Sequence, residues 1–303
     1  MFKTKNEFLF VYMKSSGYDR ETMVRELEIT EEDYDRLDCQ FAAEFKRVEK
    51  DNEASKSSGE RFRELTSYLH KTVSDQQNGV KCPPPYKQME GELVELPDVK
   101  EFIPEDDSFT KIDLRRESRR EYSDVPLTLQ ELSYLLWHTQ SIRKEIKNER
   151  IHIGFRIVPS AGCRHAFETY LQINRVDGLK QGLYFYQAEK HSLILMDDSP
   201  ETQVQCKDMC AGQGIADTAS VVFMWTAIPH RMTWRYCQRG YRYIYLDAGH
   251  VGQNLYLAGE ALKLGVCTIG AFFDELAIPY LGIDGKEEFL VYAGSVGKNK
   301  KKG

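Results

Sequence analysis

The run ASVVFMWTAI occupies residues 219–228 and is apolar almost throughout. Its length suits a strand that is buried on both faces, so we predict that it lies at the centre of a sheet. Other strand-like runs are ETYLQINRV (168–176), GLYFYQ (182–187), HSLILM (191–196), CTIGAF (267–272) and EEFLVYAGSVG (287–297). Only AEK separates the second of these from the third, which predicts a hairpin.

Helical signals are interspersed with these strands. In LTLQELSYLLWHTQSI (127–142), Thr128 and Glu131 form a capping box, and Leu127 and Leu132 are spaced as a hydrophobic staple. The stretch RYIYLDAGHVGQNLYLAGEALKLG (242–265) is predicted to start extended and to become a helix rich in small residues. Helices and strands do not alternate strictly, which favours an α+β fold over a doubly wound one.

The first 75 residues are strongly charged and predict a helical N-terminal extension. Thr30 suits a helix N-cap, because Glu31, Glu32 and Asp33 follow it in the first turn. A helical apolar stripe then comprises Tyr34, Leu37, Phe41, Phe45 and Val48. We predict a loop over 51–60 and a second helix over 59–73.

Residues 74–108 contain CPPPYK and several acidic residues. Consecutive prolines are incompatible with a helix or an inner strand, so this segment is predicted to be an extended arm. Residues 109–303 would then form the main domain.

The net charge of −6 argues against a general nucleic-acid or membrane-surface binder. No apolar run reaches the roughly 20 residues of a membrane span, and we predict no signal peptide. Seven scattered cysteines are typical of a cytoplasmic protein with reduced thiols. Cys206 and Cys210 are too few to build a metal site, so no metal is expected. The usual dinucleotide and nucleoside-triphosphate loops are absent from the sequence.

Residues 115–122 read RRESRREY, with four arginines in a chain that is acidic overall. Such a run is either a solvated charged turn or a binding site for a phosphorylated ligand. A phosphate monoester carries about −1.5 to −2 charges near neutral pH, and arginine binds it through forked, charge-assisted hydrogen bonds.

Eight segments together resemble the FMN-dependent nitroreductase superfamily, and within it the SagB-type (thiazole/oxazole-forming) dehydrogenases. They are RRESRREY (115–122), LTLQELSYLLWHTQSI (127–142), PSAGCRHAFETYL (159–171), GLYFYQAEKHSL (182–193), WRYCQRGYRY (234–243), DAGHVGQNLYLA (247–258), TIGAFFDE (268–275) and VGK (296–298). The resemblance implies a mixed, mostly antiparallel sheet flanked by helices, an FMN cofactor and a homodimer. The SagB-type resemblance depends chiefly on PSAGxRH and GHxxQN.

The resemblance assigns flavin contacts to the arginine run and to the C-terminus. Arg116, Ser118 and Arg120 would enter the flavin site. Arg116 would lie on the phosphate side, and Arg120 would stabilise the negative charge of the reduced ring near N1 and O2. Lys298, and less directly Lys300, would also meet the phosphate. Arg115 and Arg119 would face solvent or bind acidic residues.

Two further segments are implied in flavin binding. Ser160 and Gly162 would line the flavin from across the dimer interface, with Arg164 and His165 as further candidates. In relatives, the backbone at the positions of Ile269 and Gly270 orients flavin N5, and a glycine leaves the reacting face open. His250, one helical turn before Asn254, is a weaker candidate for orienting the flavin.

The SagB-type enzymes use a Lys–Tyr pair where this sequence has Arg235 and Tyr236. An arginine does not act as a base, so we expect flavin redox chemistry on another small molecule or peptide rather than aromatisation of thiazolines. Tyr236 is the candidate proton donor or acceptor, provided that Arg235 or Arg239 lowers its pKa.

Two alternatives remain open from the sequence. One is an NAD(P)H-dependent reductase of nitro compounds or quinones. The other is a flavin-holding or peptide-binding partner subunit that docks through the stripe from Tyr34 to Val48.

Overall fold

The apolar run at 219–228 forms β7 (Val221–Ala227), and each of its residues is buried. The computed structural model describes residues 2, 4–52, 57–100, 102, 104 and 108–300, with side chains described for all of these except 47–52. Phe223 and Trp225 of β7 belong to one hydrophobic core, whereas Val222 and Met224 belong to another. Successive side chains of a strand leave on opposite faces, so a strand covered on both faces must be apolar at every position.

Within the described chain, seven strands form one sheet in the order β1-β6-β5-β4-β7-β9-β8, and all of its ladders are antiparallel. They are β1 (Leu93–Glu95), β4 (Phe167–Ile173), β5 (Gly182–Gln187), β6 (Ser192–Asp197), β7, β8 (Leu264–Ile269) and β9 (Phe289–Lys298). The predicted hairpin of β5 and β6 is confirmed, with Phe185 opposite Ile194. Strands β2 (Ile142–Lys147) and β3 (His152–Arg156) form a separate hairpin.

Helices cover both faces of the large sheet. They are α5 (Phe109–Arg115), α6 (Leu129–Gln140), α7 (Glu201–Met209), α8 (Gly214–Thr218), α9 (Pro229–Tyr236), α10 (Arg239–Ala261) and α11 (Asp274–Leu281). Buried residues of α6 and α10 join the core that contains Trp225, and those of α7 and α11 join the opposite core. This arrangement confirms the predicted α+β class. No helix in the described residues combines the length and apolar character required to cross a bilayer.

The capping box that begins α6 is confirmed. The Glu131 N–H donates to Thr128 Oγ1 at 3.2 Å, and the Thr128 N–H donates to Glu131 Oε2 at 2.8 Å. The prediction that residues 242–246 are extended is wrong, because the whole stretch Arg239–Ala261 is helical. Ile244, Val251 and Leu255 are buried on one side of α10, so packing outweighs the strand preference of the aromatic and β-branched residues in RYIYL.

The proline-rich segment is held by buried side chains of the sheet unit. Arg164 donates to the Pro83 carbonyl at 3.3 Å, and Arg156 donates to the Pro85 carbonyl at 3.0 Å. The Trp234 indole N–H donates to the Val80 carbonyl at 2.9 Å. Prolines leave carbonyl oxygens without a helical or sheet partner, and these buried donors satisfy them. Further along, β1 adds an edge strand beside β6.

The chain divides into two compact units, residues 1–65 and 66–303. The first contains α1 (Lys5–Ser15), α2 (Arg20–Glu26), α3 (Glu31–Asn52) and α4 (Ser58–Leu65). Thr30 caps α3 as predicted, since the Asp33 N–H donates to its hydroxyl at 3.0 Å. The predicted helix over 59–73 ends at Leu65, and only a short 3-10 turn follows over Tyr68–His70. Thr66 and Ser67 interrupt it, because short hydroxyl side chains compete for backbone hydrogen bonds.

The stripe on α3 packs inside its own unit. Tyr34 and Leu37 are buried beside Phe10 and Met23, and Phe41 and Phe45 pack against the same core. The side chain of Val48 lies outside the described residues. Tyr34 and Leu37 therefore have an intramolecular partner and are not exposed for docking.

We expect Met224→Ala to lower the free energy of unfolding by about 2–5 kcal/mol, because it leaves a cavity in a fully buried strand. Urea denaturation monitored by circular dichroism measures the change. Val204→Ala is the matched control, since Val204 is 58% exposed and its truncation should change stability by less than about 0.5 kcal/mol. Equal effects of the two substitutions would contradict the placement of β7.

Candidate functional site

The arginine run lies against the ends of β8 and β9. The Arg119 N–H donates to the Val266 carbonyl at 2.9 Å, and the Ser123 N–H donates to the Lys298 carbonyl at 2.9 Å. Tyr122 pairs with Asn299 in an isolated antiparallel bridge. Its ring lies so close to Gly297 that an added Cβ there would be 2.7 Å from it. The segment is thus fixed to the sheet rather than solvated along its whole length.

The four arginines divide into two pairs. Arg115 Nε and Arg119 Nη1 bind the two carboxylate oxygens of Glu260, at 3.1 and 2.5 Å, and Glu260 is buried on α10. Arg116 and Arg120, by contrast, have no carboxylate partner among the described residues. The Arg116 guanidinium lies 5.2 Å from the centroid of the Tyr256 ring, and Arg120 is exposed. Of the two alternatives expected for Arg115 and Arg119, exposure to solvent or binding to an acidic residue, the structure shows the acidic residue.

Ser118 is linked to the end of β8 through Tyr256. The two hydroxyl groups are hydrogen bonded at 2.8 Å, and the Thr268 N–H donates to Tyr256 Oη at 3.0 Å. Ile269 follows Thr268 directly and is buried, whereas Gly270 is exposed, with no atom within 4 Å of an added Cβ. The structure therefore brings the segment of Arg116 and Ser118 to the segment of Ile269 and Gly270.

Lys298 reaches the same region by its backbone, but its charge already has a partner. Its ammonium group forms a short ion pair with Glu131, the capping-box residue of α6. Lys300 is exposed two residues further on. Lys298 therefore contacts the arginine segment through its backbone carbonyl, whereas its ammonium group is paired with the Glu131 carboxylate.

Ser160 and Gly162 form a second group with Arg235 and Tyr236. Gly162 has φ 58°, and an added Cβ would lie 2.5 Å from the Tyr236 hydroxyl and 3.4 Å from Arg235 Nη1. Only glycine combines this conformation with so close an approach. The Ser160 hydroxyl accepts the His165 N–H at 3.0 Å. The predicted catalytic pair and the predicted loop are therefore direct neighbours.

The two groups lie at different heights of α10. Asp247 lies beside Ser160, whereas Tyr256 contacts Ser118 and Arg116. Nine residues separate Asp247 from Tyr256, which corresponds to about 14 Å along the helix axis. Burial raises the pKa of Asp247, although the neighbouring polar groups of Ser160 and Ala161 oppose this shift.

Backbone strain marks the junction between α9 and α10. Cys237 has φ 53° and ψ −143°, a conformation that is otherwise almost confined to glycine. Its thiol donates to the Thr72 carbonyl at 3.4 Å. Strain of this kind costs about 1–3 kcal/mol and persists only where the surrounding structure imposes it. The sequence contains no local signal for this feature, since cysteine has no special preference for such a turn.

Beside this junction lies a tyrosine network that the sequence did not reveal. Arg239 Nε donates to the Tyr243 hydroxyl at 2.8 Å, and the Tyr68 hydroxyl is 3.0 Å from the same oxygen. The Tyr243 ring packs edge-on against Tyr236 at 4.9 Å. Partial burial would raise the pKa of Tyr243, but the hydrogen bonds from Tyr68 and Arg239 outweigh it and lower that pKa. Arg239, one of the two arginines expected to act on Tyr236, donates instead to Tyr243 and, through Nη1, to the Thr66 carbonyl at 2.9 Å.

Other candidate residues have structural contacts. Arg164 is buried and donates to the Arg231 carbonyl at 3.1 Å, besides Pro83. Burial lowers the pKa of His165 to about 2, with the nearby Arg156 adding to the shift. The Asn254 amide donates to the His138 carbonyl at 2.8 Å, and so joins α10 to α6. His250 is half exposed. The described residues contain no cluster suited to a metal ion.

Known proteins resemble the part of the chain that carries these residues. The nitroreductase family model matches residues 114–298, which is more than half of the 303 residues. A Methanocaldococcus jannaschii protein that is named as a nitroreductase is 35% identical over 181 residues, covering 60% of this chain and 85% of that protein.

Two solved structures have a similar fold. A protein from Anabaena variabilis, also named as a nitroreductase, gives a TM-score of 0.51 at 28% identity and covers 63% of this chain. This chain spans only 38% of that protein's length. The E. coli microcin synthetase McbBCD complex, with truncated pro-MccB17 bound, gives a TM-score of 0.51 at 16% identity, covering 69% of this chain and 79% of that chain. At that identity the likeness concerns the fold alone.

We expect Glu260→Ala to lower the free energy of unfolding by about 1–3 kcal/mol, because two arginines lose a buried charged partner. Chemical denaturation measures this change. Glu117→Ala is the control, since Glu117 pairs with the same Arg119 at 3.1 Å but is 67% exposed, and exposed ion pairs contribute about 0–1 kcal/mol. A larger effect at Glu117 than at Glu260 would contradict the role assigned to Glu260.

Proposed function

This chain belongs to the nitroreductase family, and from that premise we propose that it is an FMN-dependent oxidoreductase of the SagB-dehydrogenase type. The observation that carries the proposal is the division of the arginine run. Glu260 engages Arg115 and Arg119, whereas Arg116 and Arg120 have no carboxylate partner in the described chain. These two unpaired arginines of the described chain suit the phosphate of a phosphorylated ring system. The space around Gly270, where an added Cβ would have no atom within 4 Å, suits the ring.

The residues present fit the cofactor. Arg116 would bind the phosphate, with Ser118 donating a further hydrogen bond, and Arg120 would stand beside the negative end of the reduced ring. Lys298 and Lys300 are proposed as additional phosphate contacts, and Lys298 would have to share its charge with Glu131. The backbone of Ile269 and Gly270 would orient the ring and leave one face accessible. When bound, FMN would supply hydride transfer at N5, to or from the substrate.

We place Ser160 and Gly162 in the flavin site of a partner chain, so the proposal includes a homodimer. The separation of the two groups along α10 supports this, since Ser160 lies about 14 Å from the level of Tyr256. Two copies that exchange this loop would complete each site with residues from both. We propose no nucleic acid or membrane as a partner. The odd number of cysteines supports the cytoplasm as the location.

The substrate we propose is a small molecule or a peptide. The McbBCD complex has the same fold and holds a truncated pro-MccB17, which supports a peptide. Tyr236 would handle the proton, since its hydroxyl lies against Gly162, and Arg235 lies 5.6 Å from the Tyr236 ring and would supply positive charge. An arginine keeps its proton, so it does not replace the base that a Lys–Tyr pair provides. The proposed reaction is therefore a flavin redox step without aromatisation of an azole ring.

A second candidate function is NAD(P)H-dependent reduction of nitro compounds or quinones. It is favoured by the 35% identity to the M. jannaschii protein, which is named as a nitroreductase. Anaerobic mixing with NADH or NADPH separates the two functions. Rapid loss of the visible flavin absorbance would support this second function, and an unchanged spectrum over many minutes would support the first.

If the proposal is right, the purified full chain is yellow and releases its chromophore on heating. Mass spectrometry of the released chromophore should identify it as FMN. Arg116→Ala and Arg120→Ala should each weaken FMN binding about tenfold to a hundredfold, because each removes a charge-assisted hydrogen bond of about 1.5–3 kcal/mol. Fluorescence titration of the flavin-free protein measures the affinity.

Arg150→Ala is the matched control, because Arg150 is exposed in the turn between β2 and β3. It should leave the affinity for FMN unchanged. A colourless protein that does not take up added FMN would refute the proposed cofactor. If all three variants bound FMN as tightly as the unaltered chain, the assignment of the two arginines would fail while the cofactor stood.

A further inference from the structure

A cleft of about 450 Å³ lies between the start of α10, the helix α11 and the loop that leads into β9. Its walls include Tyr241, Ile278 and Phe289. Cavities of this size hold small organic ligands, and mostly apolar walls with a few polar groups are typical of such sites. Neither the predicted flavin contacts nor Tyr236 belong to these walls, so the cleft is separate from the site described above.

Two aromatic rings form one side of the cleft. The rings of Tyr241 and Phe289 are nearly parallel, at 15°, with their centroids 6.5 Å apart. Rings in this arrangement present flat faces, on which a planar aromatic group stacks favourably. Ile278 closes the apolar wall from α11. The shape and the chemistry of this side therefore favour an aromatic ring over a branched aliphatic group.

Two opposite charges complete the lining. Asp274 begins α11, and Lys286 lies on the loop before β9. Neither forms an ion pair with another residue in the described part of the chain. Burial raises the pKa of Asp274, and the neighbouring Glu275 carboxylate adds to the shift. Both side chains are exposed, so Asp274 can meet a ligand cation and Lys286 offers a partner for a ligand anion.

The loop that carries Lys286 is fixed without any ligand. The Asp284 carboxylate accepts the backbone N–H groups of Lys286 and Glu287, each at 2.9 Å, and that of Glu288 at 3.1 Å. Gly285 has φ 73°, and an added Cβ would lie 2.5 Å from Ile278 Cδ1. The base of the lysine is thus held in place, which reduces the entropy lost when a ligand binds.

We propose that this cleft binds an aromatic α-amino acid, with its ring on Tyr241 and Phe289, its ammonium group on Asp274 and its carboxylate on Lys286. A zwitterion with one planar ring uses every part of the lining, whereas an aromatic amine or an aromatic acid leaves one charge unpaired. Asp274 follows Gly270 by four residues, so the Cα atoms of these two residues lie within about 14 Å of each other. The inference concerns binding and does not depend on the proposed flavin chemistry.

Isothermal titration calorimetry on the full chain tests the inference with three probes. They are L-tryptophan, tryptamine, which lacks the carboxylate, and indole-3-propionate, which lacks the amine. We expect L-tryptophan to bind about tenfold more tightly than either of the others, since each lacks one charge-assisted contact. The titration is repeated on flavin-free protein, where the same result is expected, so failure of the FMN proposal would not alter it.

Two variants assign the contacts. Lys286→Gln should abolish the advantage of L-tryptophan over tryptamine, and Asp274→Asn should abolish its advantage over indole-3-propionate. Lys190→Gln and Asp177→Asn are exposed controls that should change neither ratio. No detectable heat with L-tryptophan at millimolar concentration, or equal affinity for all three probes, would overturn the inference. Unchanged ratios in both cleft variants would overturn it as well.

Discussion

Glu260 determines what the arginine run can do. Its buried carboxylate takes the charges of Arg115 and Arg119, and so anchors the segment 115–123 to α10. Arg116 and Arg120 alternate with these two in sequence and are left for other partners. In isolation, a run of four arginines would be a solvated turn. Here two of them fix the segment to α10, and the other two remain available to bind a ligand. Glu260, which is far from the run in sequence, therefore determines which arginines are paired.

The sheet provides the second constraint. Because β7 is covered on both faces, the chain must place helices on each side of it, and α10 becomes the longest element of one layer. Along that helix, Tyr243 packs against Tyr236, Asp247 lies beside the loop of Gly162, and Glu260 binds the arginines. A single helix therefore sets the spacing between the tyrosine network, the loop of Gly162 and the arginine segment.

Local signals in the sequence predicted much of the fold. The capping box at Thr128, the hairpin of β5 and β6 and the continuous apolar strand are each encoded by residues that are neighbours in the chain. The start of α10 was mispredicted because Tyr and Ile in RYIYL favour strands until packing is considered. The domain boundaries and the roles of the site residues stay predictions.

The contacts that shape the candidate site are of a different kind. Arg119 and Glu260 are 141 residues apart, Lys298 and Glu131 are 167 apart, and Tyr68 and Tyr243 are 175 apart. No periodicity or motif in one sequence links such positions, since any of many carboxylates could have met each cation. The resemblance to a family points to the segments of the site, whereas the pairing of individual side chains within them depends on the folded structure.

The ion pair of Lys298 and Glu131 has an energetic consequence for the rest of the molecule. Glu131 caps α6 and at the same time holds the last residue of β9, so one carboxylate serves a helix start and a strand end. Any anion that binds Lys298 competes with the Glu131 carboxylate. Thermodynamic reciprocity then requires that a change which weakens the ion pair strengthens the binding of the anion. The affinity of Lys298 for an anion and the rigidity of the beginning of α6 therefore both depend on the equilibrium between the paired and unpaired states of Lys298 and Glu131.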